Sequence, residues 1–268
     1  KIIMKNLKKK INVKFDIAFI PYCAASEFPQ SFININRMKE KKYIINKKLN
    51  KFLTIGKYLN CANVVPAGGS YHLDSIFSSL NKFLAIPSFN KINQIYKKNK
   101  IKKFSLINTK NHFFYAENNK ISLKKNNFDN YFKSKIIKNK KNISYEKIKD
   151  KFSVKKIKDT LKILEKNIPV FKKRLYDKTD TKVKFCIWDK QPVVIKNIKH
   201  KIPLLKHEIK FSNKYKSTKL VIHVYYKLLI GIINRLVSWN EVQNHCLFER
   251  RPNKHDPDVV FWINLYKF

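Results

Sequence analysis

Residues Ser217 to Glu241 carry the longest unbroken apolar periodicity in the chain, and such a stretch must be covered on nearly every side by other parts of the protein. Polar or small residues recur at His223, Lys227, Gly231, Asn234, Ser238 and Glu241, in steps of three and four that place them in one helical stripe. Leu220, Val224, Leu228, Ile232 and Leu236 form one adjoining row, and Val221, Tyr225, Leu229, Ile233 and Val237 the next. The spacing predicts one long, mostly buried helix on which the core is built. The β-branched start, Leu220 to Tyr226, leaves a second arrangement open, a strand feeding a shorter helix. A membrane span is disfavoured because His223, Lys227, Asn234 and Arg235 fall inside the stretch, and a charge at mid-bilayer costs about 3 kcal/mol.

Charge decides the class of partner. Lys and Arg number 59 against 18 Asp and Glu, a formal net charge of +41 over 268 residues. Such an excess repels itself unless a polyanion neutralises it, and RNA is the natural counter-charge. Lysine is spread over nearly the whole length, whereas an anionic membrane surface is met by a local polybasic patch. A hydrophobic content of 44% still supports a folded core and excludes a wholly disordered chain. Only Arg37, Arg174, Arg235, Arg250 and Arg251 are arginine, and Asn, Ile, Phe and Tyr are abundant beside four glycines. That is the imprint of A/T-rich codons. Cys23, Cys61, Cys186 and Cys246 are far apart with no C-x-x-C pair, which argues against structural zinc and for reduced, mostly buried thiols. A chain opening on Lys1 rather than Met suggests a removed presequence, a non-standard start or a shortened chain.

Taken in order, residues 1 to 12 form a basic start suited to lying on a phosphate backbone, and Val13 to Phe28 reads as a buried strand or anchor followed by a loop. Pro66 to Ser70 reads as a tight turn, with Ser70 or Asp74 capping a helix through Ile76, Phe77, Leu80 and Leu84 that stops at Pro87. Two glycines before a helix can cradle a phosphate, although the P-loop spacing is missing. Lys91 to Asn142 is nearly low-complexity and reads as a basic arm. Tyr96, Phe104, Phe113, Phe114, Tyr115, Phe128, Tyr131 and Phe132 interrupt its lysines as stacking partners for bases or docking points on neighbours. Val154, Ile157, Leu161, Leu164 and Ile168 then mark an amphipathic helix capped by Ser153 and ending at Pro169. Lys182 to Asp189, Val193 to Ile198 and Leu204 to Phe211 read as strands, and Val259 to Leu265 as a last strand or anchor.

No catalytic constellation emerges, so an enzyme is not expected. Glu249, Arg250, Arg251, His255, Asp256 and Asp258 form the densest reactive cluster, yet no acid follows Asp258 to complete a metal-dependent nuclease. His245, Cys246 and His255 lack a fourth ligand, and Gly69-Ser70 lacks the nucleophile elbow. Neither a metal nor a cofactor is expected. Adjacent Arg250 and Arg251, in a chain that has otherwise turned to lysine, suggest use of the guanidinium fork on phosphate.

The pervasive basicity, the small folded blocks joined by lysine-rich arms and the lack of a catalytic set together resemble mitochondrial ribosomal proteins of AT-rich protists. The resemblance is one of type and matches no ribosomal motif residue by residue. It implies a structural constituent of the mitochondrial ribosome in the matrix, bracing rRNA and touching neighbouring ribosomal proteins, with no small-molecule substrate and no membrane span. The basic residues expected on RNA are Lys8, Lys9, Lys10, Lys97, Lys98, Lys102, Lys103, Lys124, Lys125, Lys140, Lys141, Arg250 and Arg251. Competing readings are an accessory subunit of a mitochondrial respiratory or ATP synthase complex and an organellar RNA-processing factor. The fold class expected is α+β, with an N-terminal segment 1–90, a Lys/Asn-rich basic arm or insertion 91–143 and an α+β domain 144–268 built on the long helix.

Overall fold

A computed structural model of the chain describes residues 15–23, 28–59, 61–68, 72–73, 75–108, 112–117, 120–125, 144–149, 151–175, 182–210, 218–234, 236–237 and 245–250. Helices and mixed sheets make it α+β, in two units whose segments alternate along the chain. The first unit comprises Lys1–Ala25, Lys39–Tyr71 and Ala85–Lys140, and the second Ser26–Met38, His72–Leu84 and Lys141–Phe268.

In the first unit, strands β1 (Phe15–Pro21), β2 (Cys61–Ala67) and β3 (Ser105–Leu106) form a parallel sheet in that order. Parallel neighbours need crossovers, and helices α1 (Arg37–Tyr58) and α2 (Phe89–Lys98) supply them. Along α1 the apolar residues Ile45, Leu49, Phe52 and Leu53 recur at helical spacing and face the sheet, while lysines occupy the other side. Leu49, Phe52 and Leu53 share one core with Ile20 and Val64 of the strands and with Ile92, Ile101 and Phe104. Both helices therefore cover the same face of the sheet. Gly56 is required where α1 meets Phe104, since a Cβ there would lie 2.7 Å from the ring. Strands β4 (His112–Glu117) and β5 (Lys120–Lys125) pair antiparallel as a separate ribbon.

Over its first part, as far as Leu106, the segment expected to be a basic arm is packed, and residues 126–143 of it lie outside the described residues. Ile92, Ile101 and Phe104 are core residues, and Tyr96 packs against them, so neither Tyr96 nor Phe104 is presented to bases. The lysine-rich composition hid a helix whose few apolar residues all fall on one face.

The second unit holds helix α3 (Val154–Leu175), strands β6 (Lys182–Trp188), β7 (Leu205–Lys210) and β8 (Thr218–Tyr225), helix α4 (Tyr226–Ile233) and strand β9 (Leu247–Arg250). The sheet order is β7-β6-β8-β9, with β6 parallel to β8 and the outer pairs antiparallel. The expected single helix over Ser217 to Glu241 is thus a strand followed by an eight-residue helix. The reason is burial on both faces: Leu220, Ile222, His223, Val224 and Tyr225 are all covered, and a two-sided strand is as continuously apolar as a buried helix. Helical spacing takes over only at Tyr226, where Leu228, Leu229, Ile230 and Ile232 are buried.

Strands β6 and β7 lie where alternation placed them, but Val193 to Ile198 is not a strand. It folds as two 3₁₀ turns, Pro192–Val194 and Ile198–His200, separated by Asn197 in the left-handed region at φ 51°. Ile195 and Ile198 from this segment pack on Cys186 and Trp188. Helix α3 continues past Pro169 to Leu175, since a proline deletes one helical hydrogen bond and bends a helix without always ending it. The Ser153 cap is present, accepting from Lys156 N at 3.3 Å. Ser75–Phe83 is a 3₁₀ helix, fastened by the Asn81 amide, which both donates to and accepts from the Leu73 backbone at 2.8 Å. Its expected caps, Ser70 and Asp74, lie outside the described residues, as do Gly69 of the phosphate cradle and the Val259 to Leu265 segment.

Candidate nucleic-acid interface

In the first unit a basic knuckle follows from how α2 ends. Ser88 opens the helix by accepting from Lys91 N at 3.3 Å. At the far end Asn99 closes it: its side-chain amide and its backbone N–H both donate to Ile95 O. Lys97 and Lys98 stand in the last turn, where cations oppose the negative end of the helix dipole. Lys100 then takes a left-handed backbone, φ 45°, which commonly falls to glycine. That turn is what sends Ile101 into the core and leaves Lys102 and Lys103 outside. The Tyr96 hydroxyl donates to Phe104 O and holds the loop down on the helix. From Phe89 to Leu106 there are six lysines and no acid, and all six are exposed. The result is a fixed cationic surface on a packed base.

Of the residues expected on RNA, the knuckle brings together Lys97, Lys98, Lys102 and Lys103 and adds Lys91 and Lys100. Lys124 and Lys125 are placed on β5, opposite Phe113 and His112. Arg250 is paired with Leu220 at the end of β9. Lys8, Lys9, Lys10, Lys140, Lys141 and Arg251 lie outside the described residues, with His255, Asp256 and Asp258.

Two hydrogen-bonded side-chain networks run through the second unit. Trp188 Nε1 lies 3.1 Å from His223 Nδ1, and His223 Nε2 lies 2.8 Å from Glu249 Oε1. Indole can only donate, so His223 Nδ1 accepts and the ring proton sits on Nε2, donated to Glu249. Glu249 is held below the usual carboxylate range chiefly by that bond, with Lys199 and Lys184 assisting and burial opposing. The chain Trp188–His223–Glu249 ties β6, β8 and β9 and leaves the imidazole no nitrogen for a substrate proton. A second network runs from Gln191 Nε2 to the Tyr145 hydroxyl and to Glu146 Oε1, both at 2.8 Å. Tyr145 in turn meets His245 Nδ1 at 2.8 Å, and the His245 ring stacks on Phe77 at 4.1 Å. His245 is thus engaged by Tyr145 and Phe77.

All four cysteines are free thiols. Burial raises the pKa of each, to about 12 for Cys246, so none is a thiolate nucleophile at neutral pH. Among the described residues no three of His, Cys, Asp and Glu converge as a metal site requires, and no helix is long and apolar enough to cross a membrane. Comparison with protein-family models, with curated proteins and with solved structures finds no match.

Proposed function

We propose that this chain is a structural RNA-binding protein of a mitochondrial ribosome, neutralising and bracing rRNA. The observation that carries the reading is the knuckle at Phe89–Leu106, where six exposed lysines without an acid are mounted on a folded base. A surface of this kind meets phosphates as fixed point charges and reads no sequence, as bracing requires. The chain's charge of +41 extends that logic over its length, and its A/T-codon composition supports an organellar setting in an AT-rich lineage.

Co-sedimentation of the native protein through sucrose gradients, at low and high salt and with RNase, tests this. It should travel with a ribosomal subunit, leave at high salt and be released by RNase. Migration with detergent-solubilised membrane complexes regardless of RNase would sink the reading and favour a membrane-complex subunit.

A further inference from the structure

The second unit contains a pocket of about 460 Å³ on the face of the sheet that carries Trp188 and Leu247. Its charged lining is Arg37, Lys82, Lys199 and His200, with no carboxylate among the described residues that line it. Glu249, which feels Lys199, is turned to His223 and lies outside the lining. Ile33, Ile198 and Leu247 supply an apolar wall. Arg37 is the organising cation. Its Nε donates to Phe32 O, and its guanidinium lies over the Phe83 ring, 5.0 Å from the centroid. Those contacts fix the plane and leave both terminal NH₂ groups without a hydrogen bond among the described residues. Burial pushes Arg37 down from its ordinary value. A half-buried guanidinium without a carboxylate is costly, and an anion that accepts two parallel bonds is the partner its geometry suits. Arg37 is also one of only five arginines in a chain that otherwise relies on lysine.

We infer that this pocket takes one unpaired nucleotide of an RNA strand, its phosphate on the Arg37 fork and Lys199 and its base against Ile33 and Leu247 beside the Arg37–Phe83 stack. The volume lies in the ~300–1,000 Å³ range of small-ligand pockets, so a splayed-out base can enter and a paired one cannot. The inference rests on the RNA-binding reading but adds to it, because the pocket joins charge to an apolar wall.

Binding of the full chain to fluorescein-labelled oligouridine and to an RNA duplex of equal length tests it, using Arg37→Gln, Lys199→Gln and the knuckle double variant Lys102→Gln/Lys103→Gln. Arg37→Gln and Lys199→Gln should each weaken single-strand binding about tenfold and leave duplex binding unchanged, whereas the knuckle variant should weaken both alike. Lys199 is exposed, so its variant keeps the test decisive if Arg37→Gln disturbs the fold. Equal losses for strand and duplex at Lys199→Gln overturn the pocket and spare the RNA reading. Displacement of the strand by uridine monophosphate at comparable affinity overturns the strand as occupant. If the unmodified protein binds neither RNA, both readings fall.

Discussion

His223 shows how one residue can be fixed by the chemistry of its neighbours. With Trp188 donating to Nδ1 and Glu249 accepting from Nε2, its tautomer, ring plane and hydrogen-bonding capacity are all spent. Glu249 therefore carries a pH dependence. Its folded pKa lies below the ordinary carboxylate value of 4.5, so its contribution to stability is complete above that value and disappears as pH falls through the folded one. Glu249→Gln keeps an oxygen for His223 Nε2 but cannot titrate. In urea unfolding from about pH 6 to about pH 3, the unmodified protein should lose more stability than this variant. Parallel losses would show that Glu249 does not titrate as its contacts require. None of this is legible in the sequence, because Trp188 and Glu249 stand 35 and 26 residues from His223 and meet it only through strand register. The Ser153 cap is legible, since a cap is a relation between residues three apart.

Elements can be read from sequence where their period is unambiguous, and the reading fails where burial erases it. Strand β7 keeps an alternation of covered and uncovered residues, whereas β8 is covered on both faces and so resembles the start of a helix. Helix α1 escapes notice for the opposite reason, its apolar residues being diluted by lysines on the outer side. Helix α4 carries a position where propensity and packing disagree. Gly231 lies against the 3₁₀ turn Ser144–Lys147, and an added Cβ would meet Val237 Cγ2 at 2.4 Å and Tyr145 Cβ at 3.1 Å. Helix propensity alone predicts that Gly231→Ala stabilises by ~1 kcal/mol. Val237 is β-branched and buried, and Tyr145 is fully buried, so neither can retreat cheaply. The substitution should instead destabilise by about 1–3 kcal/mol in urea unfolding. A gain in stability would mean that the close approach of α4 to this turn is not rigid.

At the scale of the whole molecule, the excess of positive charge is legible in the sequence, while the interleaving of two units does not show there, since contacts between distant segments leave no local signature. Charge also makes the free protein its own antagonist. A net +41 on a folded chain is repulsion that unfolding relieves, so added salt should stabilise the free protein until its lysines are screened. On the proposed function, bound RNA would do the same work with fixed phosphates, and each neutralised phosphate would return a counterion to solution. The two states should therefore respond to salt in opposite directions. Thermal melts at about 50 mM and about 500 mM salt should show the midpoint of the free protein rising, and that of the RNA complex falling toward it as binding weakens. Lys102→Gln/Lys103→Gln should reduce the slope of log affinity against log salt by ~0.7–0.9 for each phosphate that the knuckle no longer neutralises. A free protein indifferent to salt would mean that the excess charge is compensated within the chain. A slope unchanged by the variant would remove the knuckle from the interface.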